Sequence, residues 1–216
     1  AYLGCRGTVP PTHMRAVGER REPLPWRTLV PLVAAFTGLG VAFGAVEVSA
    51  IGFTDQAGQP GAAGLVLAAF AGGSLLAGLV FGAVVKGPPT RRRLVVAQVG
   101  LAGAFALTWL AETPLALAGA LAVAGVTISP SLITGFGLAE RSAARSRVTE
   151  SLAWTITALG IGVAVGAAVV GPIIDERGAA DAFVVPVVGA FAAVLAASLL
   201  PRATAPAPAH PAGHAV

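Results

Sequence analysis

Apolar residues in this chain come in long blocks, and most of the charged residues lie between the blocks. Six blocks can be read, at 28–54, 61–85, 94–111, 114–138, 151–174 and 182–200. A helix needs about 20 apolar residues, roughly 17 to 25, to cross the hydrocarbon core of a bilayer. All six blocks fit, and tilting absorbs the excess length of the first. Backbone amides in lipid have to bond within their own segment, so runs of this length predict helices. The expected fold is all-α and transmembrane, a six-helix bundle over 28–200. Residues 1–27 read as a loop containing Pro10, Pro11, Pro23 and Pro25. The tail 201–216 is rich in Pro and Ala, cannot build a core and is expected to be disordered.

Composition supports this. The chain is 56% hydrophobic and 11% charged, whereas soluble domains carry about 25% charged residues. Charge also orients the bundle. Residues 1–27 hold Arg6, Arg15, Arg20, Arg21 and Arg27, and the second connection holds Lys86, Arg91, Arg92 and Arg93. The fourth connection holds Arg141, Arg145 and Arg147, and the tail adds Arg202. With six spans, 13 of the 14 basic residues fall on one side. The other side has Asp55, Glu112, Asp175, Glu176 and Asp181, with Arg177 alone against them. The positive-inside rule then predicts a multi-pass protein of the cytoplasmic membrane with both termini in the cytoplasm. Nucleic acid is not an expected partner, because the basic residues lie between apolar blocks and not on a folded basic face.

Catalysis has little to work with. The three histidines, His13, His210 and His214, are all in the terminal segments. Ser74 has no base to activate it, and no block holds paired carboxylates. Cys5 is the single cysteine, which excludes an internal disulfide and any thiolate metal motif. No enzyme activity, cofactor or metal is expected.

Three sets of positions interrupt the apolar pattern. In the stretch GAVEVSA (44–50), Glu47 is a lone carboxylate inside the first block. It lies about six residues past the block's middle, hence roughly 9 Å toward the outer face. A charge near mid-membrane costs about 2.5–3.5 kcal/mol on insertion scales, so such residues face a bundle interior or an aqueous cavity. The alternative is a side chain that snorkels to the outer headgroups or sits neutral and hydrogen-bonded. Gly40, Phe43, Gly44, Ile51 and Thr54 are expected on the same face. In the fourth block, Thr127, Ser131 and Thr134 share a helix face. Pro130 among them favours a kink or local unwinding, and a freed carbonyl is tolerated at membrane depth where it lines a cavity. The alternative is that the hydroxyls bond back to the preceding turn. Finally, small residues recur every four positions: Ser74, Gly78 and Gly82; Gly162 and Gly166; Gly40 and Gly44. Each set predicts a groove for close helix packing.

In order and texture, residues 20–200 resemble the C-terminal six-helix half of a major facilitator superfamily (MFS) transporter. The connection GAVVKGPPTRRRL (82–94) resembles a degenerate copy of that family's cytoplasmic signature. Gly82, Arg91, Arg92 and Arg93 match it. Lys86 stands where the signature has an acid, so the role of that acid does not carry over. The segment ALGIGVAVGAAVVGPIID (158–175) is similar to the family's glycine-rich segment ending in Gly-Pro, through Gly162, Gly166, Gly171 and Pro172. TESLAWTITALG (149–160) leads into it as in efflux proteins of the group. The resemblance implies that the first and fourth helices line a central cavity. Glu47, Thr127, Ser131 and Thr134 would then bind substrate or proton. It implies proton-coupled efflux of a small molecule, by rocking of two six-helix halves. The chain opens on Ala1, and the expectation is a fragment whose partner is a missing N-terminal half, or a half-size protein paired with a second copy. The rival expectation is a six-helix membrane subunit or anchor that does not itself transport.

Overall fold

The computed structural model describes residues 23–201, so the expectations for the segments before and after these, with Cys5 and the three histidines, lie outside the described residues. The chain folds into α1 (Trp26–Gln56), α2 (Ala62–Val84), α3 (Arg91–Ala106), α4 (Pro114–Ser142), α5 (Val148–Arg177), α6 (Ala179–Ala182) and α7 (Val184–Ser198). A 3₁₀ turn, Leu107–Leu110, continues α3, and another, Arg145–Arg147, precedes α5. No strand occurs among the described residues. Helices α6 and α7 together form the last apolar stretch, Ala179–Ser198, and six stretches are long and apolar enough to cross a membrane. The chain has the make-up of a helical multi-pass membrane protein.

Several helices overrun their apolar blocks. Hydropathy stops where charge begins, but helical hydrogen bonding does not. Helix α3 starts at its cap, where Thr90 Oγ1 accepts from Arg93 N at 3.3 Å. Helix α4 starts likewise, with Thr113 Oγ1 accepting from Ala116 N at 3.2 Å. Pro114 there occupies the first turn, where a missing N–H costs nothing. At the end of α5, Gly178 has φ +94°, a left-handed conformation open to glycine. The turn is fastened from outside, since Ala179 N donates to Gln56 Oε1 of α1 at 2.9 Å.

Helix α1 is the centre of the bundle. It packs chiefly on α5 and α7, while α2 packs on α4 and α3 fits between α4 and α7. Of the most apolar stretch of α1, 61% is buried, against 17% for α2 and 22% for α5. The fully buried side chains include Phe36, Phe105, Phe183, Leu39 and Leu117. Phe36 fills the space above Gly135, where an added Cβ would stand 2.3 Å from its ring.

Backbone meets backbone most closely at two seams, and a third joins α1 to α7 through Gly38 and Gly189, where an added Cβ would stand 2.8 Å from backbone atoms of the facing helix. Between α1 and α5, a Cβ on Gly40 would lie 2.2 Å from Leu159 O and one on Gly44 2.1 Å from Val163 O. From the other side, Gly162 faces Thr37 O and Gly166 faces Val41 O, each at 2.2 Å. Between α2 and α4, Gly73 meets Ala122 O and Gly125 meets Phe70 O, again at 2.2 Å. Small residues let helices approach this closely where no hydrophobic force acts between them.

One end of the bundle is basic. The starts of α1 and α3 meet the ends of α4 and α7 there, around Thr28, Arg91, Leu138 and Leu200. The end of α2 meets α4 and the start of α5 at the same level, around Val85, Glu140 and Leu152. Trp26 and Trp154 pair edge to face at this end, with centroids 6.3 Å apart.

Candidate functional site: a carboxylate groove between three helices

A groove of about 610 Å³ opens between α1, α2 and α4, and Glu47 lines it. Helix α1 contributes Phe43 and Glu47, one turn apart; α2 contributes Phe70, Ser74 and Gly78 on successive turns; α4 contributes Ser129. The rings of Phe43 and Phe70 stand 5.6 Å apart. Close approach at Gly73 and Gly125 brings Ser74 and Ser129 within reach of each other. Ser129 Oγ donates to the Ser74 carbonyl at 2.7 Å. Its proton is thereby used, so in the 2.7 Å contact between the two hydroxyls Ser74 is the donor. Each hydroxyl has one proton and two lone pairs. Both protons are spent inside the clasp, and only lone pairs remain for the groove.

Glu47 is half-buried. Among the described residues it makes no hydrogen bond or ion pair. Its surroundings are aromatic and aliphatic, and an unpaired charge is unfavourable in such a setting. Among the described residues the groove therefore presents a carboxylate, hydroxyl lone pairs and two aromatic rings, but no side-chain donor. That set complements a proton, a cation or a ligand rich in N–H donors, and aromatic faces add attraction for a cation.

A second groove, of about 700 Å³, lies toward the basic end, between α2, α4 and the start of α5. Gly82, Arg93, Thr134, Gly137 and Glu140 line it. The Arg93 guanidinium is engaged in structure, donating to Lys86 O at 3.2 Å, Gly87 O at 3.4 Å and Pro88 O at 3.1 Å. It folds the α2–α3 connection onto itself.

The positions singled out in the sequence are distributed as follows. Glu47, Ser74 and Gly78 share the first groove. Thr127 does not; its Oγ1 donates to Ala124 O at 2.8 Å, and its methyl would lie 3.2 Å from a Cβ on Gly100 of α3. Ser131 is buried and donates to Thr127 O at 2.9 Å. Thr134 reaches the second groove. The helix runs unbroken through Pro130, so no unwinding occurs there. Gly40 and Gly44 turn to α5 and not to the carboxylate groove. Thr54 bonds back to Ala50 O at 3.1 Å and Ile51 O at 2.9 Å. Among the described residues no other helix comes within 4 Å of a Cβ added at Gly82. No group of three potential metal ligands exists among the described residues.

Two features escaped the sequence reading. Ser129 lies beside Pro130, yet its role depends on how α4 is rotated. Its one signal is position, a single turn after Gly125. Gln98, on α3, is fully buried, and neither its oxygen nor its nitrogen has a partner among the described residues. A carboxamide midway along an apolar run was its signal.

Compared with known proteins, the chain matches no family model and no curated protein.

Proposed function

We propose that the chain is one six-helix half of a secondary active transporter of the major facilitator type, lying in the cytoplasmic membrane with its basic end in the cytoplasm. The observation that carries this reading is the acceptor-only groove around Glu47. A lone carboxylate on the central helix is costly in lipid, and the groove gives it both an opening and a ligand chemistry. In this reading Glu47 takes up a proton from one side and releases it to the other, and a cationic small molecule competes for the same carboxylate. The second six-helix half, or a second copy, covers the exposed faces of α2 and α5. Rocking of the halves exposes the groove alternately to each side of the membrane.

Inverted vesicles containing the complete protein, with an imposed proton gradient and the lipophilic cation ethidium as probe, test the proposal. Glu47→Gln preserves size but removes the carboxyl group. Gradient-driven ethidium movement is expected to vanish in Glu47→Gln, while exchange without a gradient survives. Asp55→Asn, at an exposed carboxylate, is expected to behave as wild type. Equal gradient-driven rates for wild type and Glu47→Gln remove Glu47 from the mechanism.

A further inference from the structure

The three consecutive arginines at the start of α3 do different work. Arg93 is bound to the carbonyls of residues 86–88. Arg91 is half-buried, and its Nη2 donates to Ser198 O at the end of α7. Arg92 is exposed and makes no hydrogen bond or ion pair among the described residues. Arg91 and Arg92 line a groove of about 520 Å³ on the outside of the bundle, where the starts of α1 and α3 meet the ends of α4 and α7. This groove adjoins the second groove at Pro89, which lines both, and Glu47 has no part in it.

Its walls are of two kinds. Beside the guanidiniums stands Thr28, and among the described residues no carboxylate lines the groove. Farther along α3 the lining becomes Val95 and Val96, facing Leu138 of α4. Val96 is 61% exposed, so this part of the groove opens sideways to whatever surrounds the bundle. A positive rim leading down into an open apolar channel, at the edge of a membrane-spanning helix, matches a molecule with an anionic head and a hydrocarbon tail. Basic pockets between spanning helices bind anionic headgroups in this way. A free phosphate would satisfy the rim but leave the channel empty.

We infer that this groove is a binding site for an anionic phospholipid, its phosphate held by Arg91 and Arg92 and one acyl chain lying along Val95, Val96 and Leu138. Arg91 then links the lipid headgroup to the α7 terminus, and Arg92 is the arginine kept available for the lipid.

The test uses the full chain, purified in neutral detergent and stripped of lipid, with retained lipid counted by native mass spectrometry. Phosphatidylglycerol and phosphatidylcholine with the same acyl chains are the probes. The expected result is preferential retention of phosphatidylglycerol, falling about fivefold in Arg92→Gln, the effect of one basic residue near an anionic headgroup. Arg141→Gln, an exposed arginine of α4 at the same end, is expected to leave retention unchanged. Val96→Trp, which fills the apolar channel without altering charge, is expected to lower retention too. Three outcomes would each overturn the inference. They are equal retention of the two lipids, equal losses in Arg92→Gln and Arg141→Gln, and full displacement of the lipid by glycerol 3-phosphate at millimolar concentration. The first means no headgroup selection, the second a diffuse field of charge, and the third a site for a free anion. The Arg92 side chain is exposed and makes no hydrogen bond or ion pair among the described residues, so its variant stays interpretable.

Discussion

Gly166 of α5 and Val41 of α1 are in backbone contact. A Cβ on Gly166 would stand 2.2 Å from the Val41 carbonyl oxygen. No side chain intervenes, so a substitution there moves a helix and not a rotamer. Gly166→Ala is expected to destabilise the bundle by about 1–3 kcal/mol, the usual range for overpacking, and Gly166→Leu by more. Gly160, on the exposed side of α5 with no other described helix within 4 Å of an added Cβ, is the control. Gly160→Ala is expected to be neutral or stabilising, since Ala favours a helix over Gly by about 1 kcal/mol. Thermal unfolding in detergent separates the two, and equal behaviour of the Gly166 and Gly160 variants would contradict the seam.

The hydroxyl clasp gives a second prediction. Ser129→Ala removes both bonds of the pair, whereas Ser74→Ala removes one and leaves the carbonyl contact. Hydrogen bonds between membrane helices average about 0.6 kcal/mol in double-mutant cycles. Ser129→Ala is expected to cost more than Ser74→Ala, and the double variant little more than Ser129→Ala alone. Additive losses would mean that the two hydroxyls act independently.

Gln98 makes the opposite kind of prediction. A buried polar group left without a partner costs about 1–3 kcal/mol. Gln98→Leu, similar in size and apolar, is therefore expected to raise the unfolding temperature, and Gln98→Glu to lower it. If Gln98→Leu destabilises the protein, the carboxamide has a partner in the membrane.

Topology is open to labelling. Lys86 and Gln59 are both exposed in connections at opposite ends of the bundle. With a cysteine at each in turn and Cys5 replaced by Ser, an impermeant thiol reagent applied to intact cells is expected to label Gln59→Cys and not Lys86→Cys. Labelling of Lys86→Cys would reverse the assignment of the basic end to the cytoplasm. Gly87 and Gly178 are poor positions for this purpose, because both hold positive φ, at 98° and 94°.

The spans were legible in the sequence because a lipid-facing helix has to be apolar throughout. The blocks at 28–54 and 114–138 fall within Trp26–Gln56 and Pro114–Ser142. Their ends were less legible, since charged residues such as Glu140 and Arg141 continue a helix as readily as leucine does. The site was legible where one residue is conspicuous on its own, as Glu47 is. It was not legible where rotation decides. Spacing groups Thr127, Ser131 and Thr134 on one face, but it does not say which neighbour each one meets, and the three meet different ones. That was set by Gly73 and Gly125, whose contacts turn Ser129 toward α2. Gly40 and Gly44 likewise followed the demands of α5.

The seam between α1 and α5 also dictates an order of assembly. The two helices that need each other most are separated along the chain by α2, α3 and α4. During synthesis α1, with Glu47, waits in the bilayer with its glycine face uncovered until α5 has been inserted. Such non-local pairing delays folding and leaves exposed intermediates. A chain halted before Val148 lacks the partner of that glycine face, so the seam at the centre of the bundle closes only with the fifth helix.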